Sequence, residues 1–153
     1  MNLSKRSFYT SIAVVIILDL LTKIIVTKTH TEIYNILGFL NIIIVKNYGI
    51  SFGILNSGTY KIFQQVILSI TALCIIFYII KCCPLSVGTS FIIGGAFGNL
   101  LNRVYSGYVI DFIDLFMGTY HWPAFNIADS FICIGALIFL LEERNKFSKS
   151  SKK

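Results

Sequence analysis

Charge is scarce in this sequence. Only 13% of its 153 residues are Asp, Glu, Lys or Arg, whereas 56% are hydrophobic. A soluble domain of this length has too little interior to hide so many apolar side chains, so a free-standing water-soluble fold is excluded. Lipid supplies the missing interior, because a spanning helix needs only about 20 mostly apolar residues. The expectation is an integral membrane protein.

Other shortages narrow the chemistry. There are two histidines and four cysteines. His30 and His121 stand alone in loops, the usual setting of a surface imidazole. Cys74 and Cys133 lie within apolar runs, and Cys82 and Cys83 are chain neighbours, which rarely bridge each other. With no disulfide framework and no zinc-like spacing, neither metal nor other cofactor is expected. The net charge of +6 would suit nucleic acid, but the surplus lysines and arginines sit in short segments flanking apolar runs. There they report topology, and no nucleic-acid partner is expected. No repeat, low-complexity tract or second domain is visible, so residues 1–153 read as a single domain.

What the sequence does hold is four apolar runs long enough to span, at about 8–27, 62–80, 85–104 and 125–141. The first follows Lys5 and Arg6 as a secretory signal would, yet it has no small-residue cleavage site and carries Asp19 and Lys23, so it reads as an uncleaved helix. An even number of spans returns both termini to one side. Lys5, Arg6, Lys81, Arg144, Lys146, Lys149, Lys152 and Lys153 mark that side as cytoplasmic. Lys28, Lys46 and Lys61 fit this rule poorly, because they fall in the first outer loop. The second outer loop, 105–124, has no lysine or arginine. In the first, "FLNIIIVKNYGISFGIL" is rich in β-branched residues and broken by glycines, which suggests short strands or an interfacial element. The serine-rich basic tail from Arg144 reads as a mobile cytoplasmic end.

Against this apolar background, "YVIDFIDLF" sets Asp111 and Asp114 among isoleucines and phenylalanines, and "FNIADSF" places Asp129 eighteen residues after Asp111. A short connection between antiparallel helices brings Asp111 and Asp129 to one membrane face. Two carboxylates in a poorly solvated site cannot both ionise easily, so the pair offers an acid and a base together, as in aspartic proteases. The plainer alternative makes Asp129 a helix N-terminal residue favoured by the dipole and Asp111 a turn residue. Asp114 competes with Asp111 for the pairing, and periodicity does not decide between them. Asp19 and Lys23 share one helix face and can pair, which lowers the cost of either charge in a membrane. Asn99 and Arg103 extend a polar stripe along the third span beyond Gly94, Gly95 and Gly98. Arg103 either snorkels to headgroups or holds an anionic or carbonyl group. Asn126, three residues before Asp129, can orient a carboxylate or a peptide carbonyl.

In chain order, "DLLTK", "NYGISF", "GGAFGNLLNRV", "GYVIDF" and "WPAFNIADS" resemble the signature blocks of the lipoprotein signal peptidase family, also called signal peptidase II. The resemblance implies an all-α membrane protein: four transmembrane helices, with a small extracytoplasmic β-cradle and an interfacial helix falling within residues 29–61. It implies a bacterial inner-membrane aspartyl endopeptidase that removes the signal peptide of diacylglyceryl-modified prolipoproteins, cutting before the lipidated cysteine. Its partners are then those precursors and membrane lipids, with the enzyme a monomer. The matched positions make Asp111 and Asp129 the catalytic pair. Asn99, Arg103 and Asn126 line the substrate site; Asp19 and Lys23 form the span-one pair; Asn47, Gly49 and Phe52 belong to the outer-loop block. Asn102 departs from the pattern, which usually has an aspartate before the arginine, and so a local salt bridge there is in doubt. A small proton-coupled transporter, or a non-enzymatic membrane scaffold, is the alternative that intramembrane acids leave open.

Overall fold

A computed structural model of the chain describes residues 3–29, 34–49 and 58–150. Four long helices carry a four-stranded antiparallel sheet at one end. The helices are α1 (Lys5–Thr29), α2 (Gly58–Cys82), α3 (Val87–Ser106) and α4 (Ile127–Ser150); the strands are β1 (Tyr34–Leu37), β2 (Leu40–Asn47), β3 (Val109–Met117) and β4 (Tyr120–His121). The strands are joined in the order β1-β2-β3-β4.

Two helical segments, Lys5–Thr29 and Lys61–Cys82, are long and apolar enough to cross a membrane, and little of either apolar stretch is buried against the rest of the chain. Hydroxyls on α1 cost little there, because Thr22 and Thr27 donate back to the Leu18 and Lys23 carbonyls at 2.8 and 2.7 Å. The other two helices, α3 and α4, pack against each other. α3 is central: it packs on α1, α2 and α4, and α2 lies mainly against α3. Glycine makes the approach possible. A Cβ on Gly94 would stand 2.8 Å from Val15 Cβ, and one on Gly98 only 2.6 Å from Asp19 Oδ2. Those two glycines let α1 lie against α3, so the small-residue pattern of the sequence has a packing use. α3 starts with a capping box, in which Ser86 Oγ accepts from Thr89 N at 3.3 Å and Thr89 Oγ1 accepts from Ser86 N at 3.0 Å.

The apolar core is split. Phe8, Ile76, Ile79 and Ile93 pack where the start of α1 meets the end of α2 and the first half of α3. Val26, Ile110 and Phe112 pack where the end of α1 meets β3. The second cluster seats the sheet on the helices.

One expectation of the fold changes. The sheet is not confined to residues 29–61: β3 and β4 come from the second outer segment, read above as a loop, so the fold is mostly helical with a mixed-origin sheet rather than all-α with a local cradle. The run "VIDFIDLFM" forms a strand because its β-branched and aromatic residues fit a half-buried sheet. The basic stretch from Arg144 continues α4 as helix to Ser150. Between α1 and α2 the described residues form two strands with their turn, and the expected interfacial helix falls outside the described residues, as do Phe52 and His30.

Candidate active site

The site forms where β3, the start of α4 and the last turns of α1 and α3 converge. Asp111 is carried by β3 and is only 2% exposed. Both of its oxygens accept amide protons: Oδ2 from Asn47 Nδ2 at 2.8 Å and Oδ1 from Asn126 Nδ2 at 2.7 Å. Asn47, at the end of β2, is itself fixed, because its Oδ1 accepts from Gly49 N at 2.7 Å in a tight Asx turn. Gly49 has φ +116°, a conformation that side chains rarely adopt, so the turn selects glycine.

Asp129 reaches the same place through a helix cap. Asn126 precedes α4 and accepts from Asp129 N at 2.9 Å, while Asp129 Oδ2 accepts from Asn126 N at 3.2 Å. This reciprocal arrangement is a capping box built from Asn and Asp. The plain reading of Asp129 as a helix-start residue is therefore correct, and it is also how the carboxylate is aimed. Its other oxygen accepts from Asn99 Nδ2 at 2.8 Å. Asn126, fully buried, thus joins the two aspartates: its amide nitrogen goes to Asp111 and its carbonyl and backbone nitrogen to Asp129.

Asn99 needs its own orientation fixed, since an amide can present either end. Lys23 Nζ donates to Asn99 Oδ1 at 2.9 Å, and Asn126 Nδ2 adds a second contact at 3.2 Å, so the Asn99 nitrogen must face Asp129. Lys23 also donates to Asp19 Oδ2 at 2.8 Å, and Asp19 Oδ1 accepts from Ala128 N at 2.9 Å. With Asp19 and Lys23 at 0% and 2% exposure, the pair expected in span one is a buried ion pair tied to the start of α4. A buried charge survives only when paired and hydrogen-bonded, and both conditions hold.

Removal from water pushes the Asp111 carboxyl up to about 6; the Asn47 and Asn126 donors oppose this rise and the nearby charge of Asp129 adds to it. Arg103 stands within electrostatic reach of both aspartates, and its buried Nε has no hydrogen-bond partner among the described residues. Such an orphan donor is costly unless something else accepts from it.

Asp114 belongs elsewhere. It is buried at 4%, and its carboxylate accepts from Asn41 Nδ2 at 2.9 Å and contacts His121 Nδ1 at 2.9 Å. Burial acts to raise its proton affinity, but Asn41 and His121 outweigh it and hold the carboxyl below the usual range. His121 is therefore not an isolated loop residue: it pairs with Asp114 and stacks on Phe116 at 5.4 Å. Sequence reasoning passed over Asn41, whose signal was an amide in an otherwise β-branched strand. It also left Asn102 without a role. Buried Asn102 accepts from Ile110 N at 2.8 Å, tying the end of α3 to the strand that carries Asp111. Among the described residues, no three His, Cys, Asp or Glu side chains converge as a metal site would need.

Comparison with known proteins identifies the family. The family model described as signal peptidase (SPase) II matches residues 11–144. The lipoprotein signal peptidase of Janthinobacterium sp. (strain Marseille) is 40% identical over 148 residues, covering 90% of this chain and 87% of the relative. That of Burkholderia thailandensis is 38% identical over 137 residues, covering 85% and 82%. A bacterial membrane enzyme solved by the in meso method at 2.3 Å resolution superposes with a TM-score of 0.75 at 29% identity, covering 99% of this chain and 96% of that one. A second, solved at 1.9 Å, gives 0.73 at 30% identity, covering 92% and 94%. The chain is a membrane protein and belongs to the signal peptidase II family, the lipoprotein signal peptidases.

Proposed function

We propose that this protease uses Asp111 and Asp129 as a shared-proton pair to cut the signal peptide from diacylglyceryl-modified prolipoproteins, just before the lipidated cysteine. The observation that supports it most is Asn126, one buried amide bonded to both carboxylates. Asp111, raised by burial, holds the proton, and Asp129, partly open to solvent, is the base. A water between them gives a proton to Asp129 as its oxygen bonds to the scissile carbonyl carbon, while Asp111 donates to the carbonyl oxygen. Asp129 then passes its proton to the leaving amine as the carbon–nitrogen bond breaks, and a hydroxyl of the intermediate returns a proton to Asp111. Arg103, whose Nε has no partner among the described residues, supports the bound peptide's carbonyl groups. Asn47, Gly49 and Phe52 belong to the substrate-facing outer segment, and Asp19, Lys23 and Asn99 hold Asp129 in place.

On this reading the chain is one domain, a monomer with four spans in the bacterial inner membrane, both termini and the basic tail in the cytoplasm and the aspartates near the outer face. A substrate anchored by its own signal helix and acyl chains arrives by diffusion within the bilayer, so the site belongs between helices at the surface. Water is needed only at its rim. The test is cleavage of a diacylglyceryl-modified prolipoprotein peptide by purified protein in detergent or vesicles, with no ion gradient. Cleavage that demands a gradient, or that persists when both aspartates are replaced by asparagine, would sink the proposal.

A further inference from the structure

Three lysines sit at the end of the molecule that holds the aspartates, against the charge bias expected of an outer face. Lys28 lies in the last turn of α1, Lys46 near the end of β2 and Lys61 in the first turns of α2. Two of them are mounted on aromatic rings. Lys61 Nζ lies 4.4 Å above the Tyr48 ring, Lys46 Nζ lies 5.2 Å above the Tyr108 ring, and the two rings pack at 5.6 Å. The four side chains make one continuous row beside Asn47, whose amide holds Asp111.

Neither lysine is paired with a described carboxylate, since the ion pairs among those residues are Lys23–Asp19, His121–Asp114 and Lys146–Glu143. Stacking on a ring fixes the ammonium while leaving its outward N–H donors free. Lys61 also occupies the positive end of a helix dipole, with no acidic residue in that turn to offset it. Two preorganised cations side by side with no carboxylate partner among the described residues suit an anion. Lys28 and Lys61 mark the ends of the two helices long and apolar enough to span, the level at which a bilayer presents phosphate.

We propose that Lys46 and Lys61, held on Tyr108 and Tyr48, bind the phosphate of an anionic membrane lipid at the rim of the aspartate site. This rests on the reading that this end of the helices meets the headgroup layer. The bound lipid braces the segment that carries Asn47 and marks the side by which a lipid-anchored precursor enters.

The test is lipid retention by the purified full chain, measured by native mass spectrometry after exchange with phosphatidylcholine or phosphatidylglycerol. A lysine near an anionic surface contributes about 1 kcal/mol, roughly fivefold, so the wild type should prefer phosphatidylglycerol by on the order of tenfold or more. Lys46→Gln with Lys61→Gln should abolish the preference, and the corresponding Arg pair should keep it. On the unaltered protein, added salt should erode it. An unchanged preference in the Gln pair, or none in the wild type, would overturn the site. So would a Gln pair that keeps its lipid but loses turnover only on precursors with an acidic residue after the cut, because the row would then be a peptide site. Retention needs no cleavage, so this outcome is independent of whether the aspartates perform the proposed chemistry.

Discussion

Asn126→Ala tests the join between the two carboxylates. The change removes the 2.7 Å donor to Asp111 and the carbonyl that caps α4 through Asp129 N at 2.9 Å, while leaving the backbone nitrogen that touches Asp129. A hydrogen bond to a charged buried group is worth about 1.5–3 kcal/mol, and an N-cap typically about 1 kcal/mol. If both losses fall on the transition state, turnover drops by about 2.5–4 kcal/mol, or roughly a hundredfold to a thousandfold. The pH dependence supplies an independent sign. Asn126 stabilises ionised Asp111, so without it the carboxyl binds its proton more tightly than the folded value of about 6. The alkaline limb of the rate profile, where the shared proton is lost, should therefore move to higher pH. The assay is cleavage of a lipid-modified precursor across pH, beside a melting curve to separate misfolding from misalignment. Near-wild-type turnover, or a limb that moves to lower pH, would refute the idea that Asn126 couples the pair.

Asp111→Asn and Asp129→Asn should each remove nearly all turnover, with the double change costing little more than either, because groups that act as a unit are non-additive; independent multiplicative losses in the same assay would contradict a shared proton. Asp114→Asn, by contrast, should keep most activity yet lower the melting temperature, since its carboxylate ties Asn41 to His121. Arg103→Ala should weaken cleavage without loss of membrane insertion, and Arg103→Lys should rescue only partly because an ammonium lacks the planar fork; full activity in the alanine variant would reduce Arg103 to a headgroup anchor. Cys82, exposed at the end of α2 beside Lys81, and the partly exposed Cys83 should escape impermeant thiol reagents in intact spheroplasts and react after permeabilisation. Labelling from outside would reverse the orientation.

The helices were legible because apolar length and glycine spacing are local signals. α1, α2, α3 and α4 each overlap the run that forecast them, and the Asp19–Lys23 pair follows from four-residue spacing alone. Asp111 was harder: from periodicity it competed evenly with Asp114. The pairing partners that separate the two aspartates lie 64 and 73 residues away in sequence, at Asn47 and Asn41, and no local pattern carries that information. The second outer segment was misread as a loop for the same reason, since β3 is a strand only because β2 is there to pair with it. Membership of a protease family also removes the transporter alternative, which intramembrane acids alone had kept open.

Register explains how one strand serves two purposes. Asp111 and Asp114 are three residues apart on β3, so their side chains leave opposite faces of the sheet. Asn41 and Asn47 are six apart on β2 and would share a face if the strand were regular. They do not, because β2 carries an extra residue: Ile42 pairs with Ile113 but Val45 pairs with Asp111, so three steps on β2 match two on β3. That bulge turns Asn47 towards Asp111 while Asn41 still faces Asp114. Deleting Ile44 would leave Asn41 and Asn47 five steps apart in a regular strand, which still puts them on opposite faces, so Asn47 would keep facing Asp111 and cleavage should persist. Asn47→Ala instead removes the donor on Oδ2, at a cost of about 1.5–3 kcal/mol to the ionised form of Asp111. Cleavage should then fall by roughly tenfold to a hundredfold, with the alkaline limb of the rate profile shifted upward, while the Asn41–Asp114 contact and the sheet persist. An unchanged pH profile with full turnover in Asn47→Ala would show that Asn47 does not hold Asp111.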